Sequence, residues 1–257
     1  PVASIKLANP LDGQAPFLRR SLLPGLMAVA HRNLSRGFTD LALFEAGAVF
    51  LPEPGVQYGT DEVPPAAQRP SPETLAVLAA AIPPQPRHAA VLLLGALIPK
   101  QPGQPAVATG IADALDAVRT IAAAVGVKID VVQGQRPALH PGRTGILSIA
   151  GEVVGYVGEL LPAIAEAADL PSVVAVAELD LDRAIALSGG AVTAATLSTF
   201  TPATQDVSLI VPLDVAAAAV RQALLDGAGA LLEAARVVDD YRGGGMPEGS
   251  KGLSFAL

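Results

Sequence analysis

Two closely spaced acidic residues, Asp180 and Asp182, have the ligand type that a divalent cation prefers. Acids that alternate at the end of an apolar strand are more often a solvated edge and a helix cap, so we predict no metal site here. The same carboxylates would repel ATP, and Arg183 beside them does not compensate, because a triphosphate needs several cations aimed at its oxygens. We therefore predict no catalytic residue and no cofactor bound by this chain.

His140 is a candidate general base, because an imidazole titrates near neutral pH. It stands in the run His140-Pro141-Gly142-Arg143, with no serine or cysteine nucleophile pattern and no second histidine close by in the sequence. We interpret the run as a packed loop that fixes the hairpin after it. Arg143 in the same run has two possible partners, an acidic residue of this chain or one of another subunit.

The glycines Gly243–Gly245 resemble a phosphate-binding loop in composition. Such a loop needs the amino terminus of a following helix to supply oriented backbone amides. A strand pattern follows instead, so we predict a hairpin turn.

Composition excludes several kinds of site and limits how the chain could bind nucleic acid. The 257 residues include no cysteine, which excludes disulfides, zinc–thiolate sites and thiol nucleophiles. The net charge of −7 and the pI near 4.9 argue against a general nucleic-acid-coating surface. The first 44 residues are an exception, since they carry five basic residues, Lys6, Arg19, Arg20, Arg32 and Arg36, against only Asp12 and Asp40.

Periodicity predicts the elements that position these residues. Ser21 can cap and Pro24 can start a helix that runs to about Arg36, with His31, Arg32 and Arg36 on its outer face. The other predicted elements of the first region are, in chain order, a buried strand at 41–50, a helix at 73–81, a buried strand at 89–98, a helix at 110–126, a strand at 127–131, a hairpin at 145–157 that turns at Gly151-Glu152, a strand at 173–179 and a helix at 182–187. A stretch poor in large aliphatic residues predicts a domain boundary near residue 194.

Beyond the boundary the predicted order is strand (206–211), helix (214–225), strand (232–241), glycine turn and strand (252–257). This is the first part of a ferredoxin-like unit, whose full order is strand, helix, strand, strand, helix, strand.

Short motifs occur in a fixed order along nearly the whole chain. They are Asn9-Pro10-Leu11, Leu18-Arg19-Arg20-Ser21-Leu22-Leu23-Pro24-Gly25-Leu26, Asn33-Leu34-Ser35-Arg36-Gly37, Leu43–Phe50, His140-Pro141-Gly142-Arg143, Gly151–Leu160, Glu178–Leu181, Phe200-Thr201-Pro202, Asp240–Gly245 and Pro247–Leu253. Together they resemble the beta subunit of bacterial phenylalanyl-tRNA synthetase, in its carboxy-terminal part. The family commonly has arginine where this chain has Ala48 and Gln205.

The resemblance implies an α/β (α+β) fold. Residues 1–194 would form a non-catalytic class II aminoacyl-tRNA synthetase-like core, with an antiparallel sheet and helices. Residues 195–257 would form a ferredoxin-fold anticodon-binding domain, a partial βαββ unit that is incomplete at its carboxy terminus.

The resemblance also implies a function. The enzyme would be a cytoplasmic α2β2 heterotetramer that uses ATP and Mg²⁺ to join phenylalanine to tRNA(Phe), with the chemistry in the alpha subunit. On this interpretation Arg242 and Lys251 are candidate tRNA contacts. The candidates for contact with the alpha subunit are Arg19, Arg32, Arg36 and Arg143.

Two alternatives remain open at this point. A free-standing regulatory protein could bind a small amino acid with its ferredoxin-like domain, because such folds host many functions. A self-contained ligase is disfavoured by the missing triphosphate-binding pattern. A stable partner subunit would favour the synthetase interpretation over both.

Overall fold

The computed structural model describes residues 4–190, 194 and 197–257. Contacts divide the chain into two compact units, one up to residue 193 and the other from Ala194 onward. In chain order the first unit contains α1 (Leu23–Leu34), β1 (Leu41–Ala48), α2 (Pro72–Ala80), β2 (Arg87–Leu94), β3 (Ala96–Ile98), β4 (Val107–Ala108), α3 (Ile111–Val125), β5 (Asp130–Gln133), β6 (Leu139–Ile149), β7 (Glu152–Leu160), α4 (Pro162–Ala167), β8 (Val174–Asp180) and α5 (Leu181–Ala186).

A six-stranded antiparallel sheet organises the first unit, in the order β1-β2-β8-β7-β6-β5. One face packs against α1 through Leu26 and Ala30, and the other packs against α3 through Ala114 and Val118. Strand β8 lies near the centre of the sheet and is buried from Val174 to Leu179, as expected for a strand covered on both faces.

Helix α3 follows directly from its sequence. Its apolar residues recur at helical spacing and its buried stripe is Ala114, Val118 and Ala122. Gly126 ends the helix with a left-handed backbone, at φ 78°, a conformation that glycine adopts without a Cβ penalty. The predicted helix is confirmed almost to the residue.

Several local predictions were wrong. Strand β1 lies at the sheet edge and alternates in exposure, so it is not a buried strand, and its Phe44 is 82% exposed. The predicted strand at 89–98 is divided at Gly95, whose φ of 83° breaks the extended backbone into β2 and β3. The β6–β7 turn falls at Ala150-Gly151, one residue earlier than predicted, and both residues have positive φ.

The predictions for residues 140–143 and for Ser21 also differ from the structure. Residues 140–143 belong to β6 and are not a loop. Ser21 is not the N-cap residue of α1, which is Leu22, but its hydroxyl does accept a hydrogen bond from the amide of Leu23, the first residue of the helix, at 3.1 Å. Helix α4 and the short strand β4 had no counterpart in the sequence analysis.

The second unit contains β9 (Asp206–Pro212), α6 (Ala217–Ala228), β10 (Arg236–Tyr241) and β11 (Ser250–Ala256). Its sheet is antiparallel in the order β10-β11-β9, and its core is built from Val220, Leu253 and Phe255. The predicted βαββ order is confirmed, as is the mixed α/β fold class with antiparallel sheets. Within the described residues, no helix combines the length and apolar character needed to cross a membrane.

Candidate functional site

A buried carboxylate, Glu178, occupies the middle of the first sheet. It lies near the end of β8 and its residue is 2% exposed. The antiparallel register places Tyr156 of β7 directly opposite it. Because a charged group in the core is costly unless it is hydrogen-bonded, the partners of Glu178 determine whether it can be tolerated.

Four donors reach the two oxygens of Glu178. The Tyr156 hydroxyl donates to Oε2 at 2.7 Å, and the Ser21 hydroxyl donates to the same atom. The backbone N–H of Leu22 donates to Oε1 at 3.2 Å, and Nδ1 of His88 lies 2.8 Å from Oε1. Three different parts of the chain, the segment before α1, β2 and β7, therefore converge on one side chain, and we call these residues the Glu178 cluster.

The cluster sets the ionisation of its members. Burial by itself would raise the pKa of Glu178, but hydrogen bonds from His88, Ser21 and Tyr156 and from the Leu22 amide outweigh it and hold that pKa below its usual value. Burial, reinforced by the charge of Glu178 and by its hydrogen bond, raises the pKa of Tyr156. Glu178 therefore stays ionised and Tyr156 stays a neutral donor.

The second ring nitrogen of His88 has no such partner. Its Nε2 is buried and makes no hydrogen bond within the described part of the chain. The nearest acidic oxygen, on Asp180, is 3.9 Å away, too far for a hydrogen bond.

A cleft of about 760 Å³ opens beside the Glu178 cluster. It lies between α1 and α4, and apolar side chains from α1, β6 and β7 line most of it. A smaller cleft of about 520 Å³ adjoins it and shares three lining residues with it, Ser21, Arg136 and Tyr156. Both clefts belong to the first unit.

Asp180 and Asp182, the two acidic residues considered above as metal ligands, have other roles. Asp180 caps α5 by accepting a hydrogen bond from the Arg183 amide at 2.8 Å. Asp182 accepts from both the backbone and the side chain of Arg87. No cluster of three or more acidic or histidine ligands occurs within residues 4–190, 194 and 197–257. These residues do not fit a resident metal.

The four candidate contacts for a partner subunit fall into two groups. Arg19 pairs with Glu45, and Arg143 pairs with Glu159 at 2.7 Å, so both have partners inside the unit. Arg32 and Arg36 are exposed and form no ion pair with the described residues. Arg32 belongs to the last turn of α1, whereas Arg36 lies just beyond the helix end.

The two candidate contacts for tRNA are placed differently. Arg242 is exposed and holds Asp240 through two hydrogen bonds, at 2.8 and 2.9 Å. Lys251 belongs to β11 and is only 4% exposed, so its ammonium group is far less available to a phosphate. The turn between them, at 242–249, contains the predicted glycines and is followed by β11, not by a helix.

His140 is not arranged as a base. Its Nδ1 accepts a hydrogen bond from the Gly142 amide two residues on, at 3.1 Å. Its carbonyl oxygen accepts from the Thr144 hydroxyl at 2.7 Å. Both contacts stabilise the irregular start of β6.

Sequence reasoning missed the Glu178 cluster. Two signals were present, a glutamate inside the apolar run 174–179 and a tyrosine inside the apolar run 153–157. Either signal marks a buried polar side chain that needs a partner. Neither shows that Ser21 and His88 complete the site.

Comparison with known proteins covers both units. The model of the phenylalanyl tRNA synthetase beta chain CLM domain matches residues 2–181, and that of the ferredoxin-fold anticodon binding domain matches residues 198–257. Neither match is to a free-standing regulatory protein. In structure, a pyrrolysyl tRNA synthetase from Desulfitobacterium hafniense shares 14% identity with a TM-score of 0.43, covering 68% of this chain and 51% of that one.

Curated relatives match the chain from end to end. The phenylalanine–tRNA ligase beta subunit of Leifsonia xyli is 56% identical over 100% of this chain, and that of Thermobifida fusca is 42% identical over 99% of it. The chain spans about 30% of the length of these relatives. Both family matches and both relatives agree with the motifs found in the sequence, and the chain belongs to the phenylalanyl-tRNA synthetase beta chain family.

Proposed function

We propose that this chain is the portion of a phenylalanine–tRNA ligase beta subunit that supports the attachment of phenylalanine to its tRNA without performing the chemistry. The observation that carries the proposal is the end-to-end match, at 56% identity, to a protein named as that subunit. In this proposal residues 1–194 are a non-catalytic, class II synthetase-like core and residues 195–257 are an anticodon-binding domain. The division into two compact units supports that assignment.

The partner and the cofactors follow from the proposed enzyme. The chain would assemble with a catalytic alpha subunit into a cytoplasmic α2β2 heterotetramer that acts on phenylalanine, ATP and tRNA(Phe). ATP and Mg²⁺ would bind in the alpha subunit, since the acids of this chain that could attract a metal are committed to Arg87 and to the start of α5.

The first unit would act as a scaffold for assembly. Most of its charged groups are satisfied internally, as in the pairs Arg19–Glu45 and Arg143–Glu159. Arg32 and Arg36 are two exposed cations near the end of α1 that have no acidic partner among the described residues. They suit an acidic surface on the alpha subunit, because complementary charge aids encounter and fixes register. Arg19 and Arg143 would contribute to the interface only if they left Glu45 and Glu159 for acidic residues of the alpha subunit.

The second unit would contact the tRNA. Its family description names anticodon binding, and Arg242 is an exposed cation at a glycine turn where a phosphate could approach. The unit has 4 basic and 7 acidic residues among 195–257, so its own contribution to affinity would be modest and dependent on salt. Lys251 could contribute only if its side chain left the core of the unit.

Co-purification tests the scaffold proposal. The chain would be co-expressed with a phenylalanyl-tRNA synthetase alpha subunit and the complex sized by light scattering, with and without Arg32→Glu plus Arg36→Glu. We expect a stable complex that the double change weakens at least tenfold, most strongly at low salt. Arg69→Glu plus Lys100→Glu is the matched control, because it makes the same change of charge on two exposed loop residues.

The outcomes separate the parts of the proposal. A complex that resists the double change would remove Arg32 and Arg36 from the interface but leave the scaffold role intact. Failure of the unaltered chain to bind any alpha subunit, while folding normally by circular dichroism, would overturn the scaffold role itself.

A further inference from the structure

The cleft between α1 and α4 has the size and lining of a small-molecule site. Its volume is about 760 Å³, within the range of about 300–1,000 Å³ that is typical of ligand pockets. Leu23, Met27, Leu139 and Leu160 contribute apolar surface to it. A cleft of this kind takes an apolar body, and the few polar groups around it decide which head group is accepted.

One end of the cleft carries a cation that no acid among the described residues neutralises. The guanidinium carbon of Arg136 lies 3.7 Å from the centre of the Tyr156 ring. No carboxylate of the described residues pairs with Arg136, whereas at least five of the ten arginines of the first unit do have such a partner. Stacking on an aromatic ring restricts the guanidinium while leaving its N–H donors free.

Glu178 does not take the place of the missing acid. An ionised carboxylate has about four acceptor sites, and in Glu178 four donors already occupy them, from Ser21, Leu22, His88 and Tyr156. Glu178 lines the smaller cleft together with Arg136 but is not among the residues that line the larger one. Arg136 is thus left with N–H donors that no carboxylate of the described residues accepts.

The other end of the cleft has the opposite preference for the charge of a ligand. His31 and Asp169 line the cleft away from Ser21, and His31 lies eight residues beyond Leu23, the first residue of α1, about 12 Å along the helix. The Asp169 carboxylate disfavours an anion at that end. The two ends together fix one orientation for a charged amphipathic ligand.

We propose that this cleft binds a small organic carboxylate with an apolar body, whose head group pairs with Arg136 and whose body lies along α1. The planar guanidinium can hold a carboxylate through two parallel hydrogen bonds. The apolar body would displace water from Leu23, Met27, Leu139 and Leu160. Nothing in this proposal depends on the role suggested above for the subunit, so each can fail separately.

A series of three ligands tests the head group. Binding of 3-phenylpropanoate, 3-phenylpropan-1-ol and 3-phenylpropylamine to the 257-residue chain would be compared by isothermal titration calorimetry at low salt. The three share one apolar body and differ in charge. We expect the carboxylate to bind about tenfold more tightly than the alcohol, as a charge-assisted hydrogen bond implies, and the amine to bind most weakly.

Two variants locate the site. Arg136→Gln is expected to remove the preference for the carboxylate while leaving binding of the alcohol unchanged, and Arg69→Gln, which alters an exposed loop arginine, is the control. Ala28→Phe is expected to reduce binding of all three ligands because Ala28 lines the cleft. Its control is Ala124→Phe, at an exposed position of α3 on the opposite face of the sheet.

Equal affinity for the acid, the alcohol and the amine would overturn the proposal, because the cleft would then be a simple apolar groove. A carboxylate preference that survives Arg136→Gln, or binding that survives Ala28→Phe in a chain whose circular dichroism is unaltered, would place the ligand elsewhere and overturn it as well.

Discussion

A single carboxylate shows how residue chemistry shapes this core. Glu178 is ionised in the interior, and it is tolerated there because donors from β7, from β2 and from the segment before α1 meet at its two oxygens. Removing one donor leaves a buried charge undersatisfied, which costs more than a hydrogen bond contributes on average. Changes to the cluster should therefore alter the stability of the chain and the pH dependence of that stability.

Tyr156→Phe removes one donor and keeps the ring. We expect the free energy of unfolding to fall by about 1–3 kcal/mol, the cost of depriving a buried charged acceptor of a partner. Urea unfolding followed by circular dichroism measures it. Tyr58→Phe is the control, since the Tyr58 hydroxyl bonds Glu53 within an exposed loop, and its effect should stay below about 0.5 kcal/mol. Equal effects of the two changes would contradict the role assigned to the cluster.

The pH dependence of stability carries a second prediction. Because the folded-state pKa of Glu178 lies below its ordinary value of 4.5, the stabilisation is complete above that value and is lost as the pH falls through the folded-state pKa. The melting temperature of Glu178→Gln should thus approach that of the unaltered chain as the pH falls below 4.5.

A matched series controls for general acid effects. Glu62→Gln changes an exposed loop carboxylate and should leave the difference from the unaltered chain independent of pH. Tyr156→Phe keeps the carboxylate and weakens its hydrogen bonding, so it should reduce the acid sensitivity in the same direction as Glu178→Gln. A constant gap between Glu178→Gln and the unaltered chain across this pH range would refute the prediction.

At the scale of elements, the sheet requires a close approach of two backbones. Gly155 of β7 faces β8, where a Cβ would overlap the carbonyl oxygen of Glu178 and would lie 3.0 Å from Cα of Leu179. These are backbone atoms and cannot move aside as a flexible side chain would. The contact brings Tyr156, the next residue, into line with Glu178.

Gly155→Ala should therefore destabilise the first unit by about 1–3 kcal/mol, as overpacking commonly does. It should also perturb the hydrogen bond between Tyr156 and Glu178. Thermal unfolding measures the first effect, and the second would appear as altered pH dependence of the melting temperature. Gly13→Ala is the control, since a Cβ at Gly13 meets no atom within 4 Å and its φ is not positive. A variant as stable as the control would show that β7 and β8 can separate without cost.

The elements differ in how far nearby residues in the sequence are sufficient to predict them. Helix α3 was predictable because its 15 residues carry their own periodicity and their own C-terminal glycine. Helix α4 has only six residues, too few for a periodic signal. Strand β1 is as apolar as a central strand, and only the order of the sheet places it at the edge, because that order depends on pairing with β2, far away in the sequence.

The candidate sites divide in the same way. Ion pairs such as Arg242–Asp240 join near neighbours and were within reach of sequence reasoning. The Glu178 cluster joins residues separated by up to 157 positions, so a single sequence cannot reveal it. The burial of Lys251 also depends on the packing of β11 in its unit.

At the scale of the whole molecule, the two units predict a separation of tasks. A chain that ends at residue 193 should still co-purify with the alpha subunit, because Arg32 and Arg36 lie in the first unit. Its complex should bind tRNA at least fivefold more weakly, as the anticodon-binding match lies wholly in residues 198–257. Filter binding at two salt concentrations measures this.

Arg242→Ala in the full chain refines the same test. If Arg242 contacts a phosphate, the change should reduce tRNA affinity about equally for all sequences and lower the salt slope by about one unit. Arg236→Ala, at an exposed position of β10, is the control. Full tRNA affinity after loss of residues 194–257 would contradict the separation of tasks.

The open edge of β1 exposes the chain to misassembly. An edge strand that offers unpaired backbone groups beside an exposed Phe44 is a template on which another strand can add. If the chain is a subunit, as proposed, copies that have not met their partner would carry this template, and misassembly would grow with their concentration. Balanced synthesis of the subunits, prompt handover by chaperones and rapid proteolysis of surplus copies would then matter as much for this chain as its folding stability.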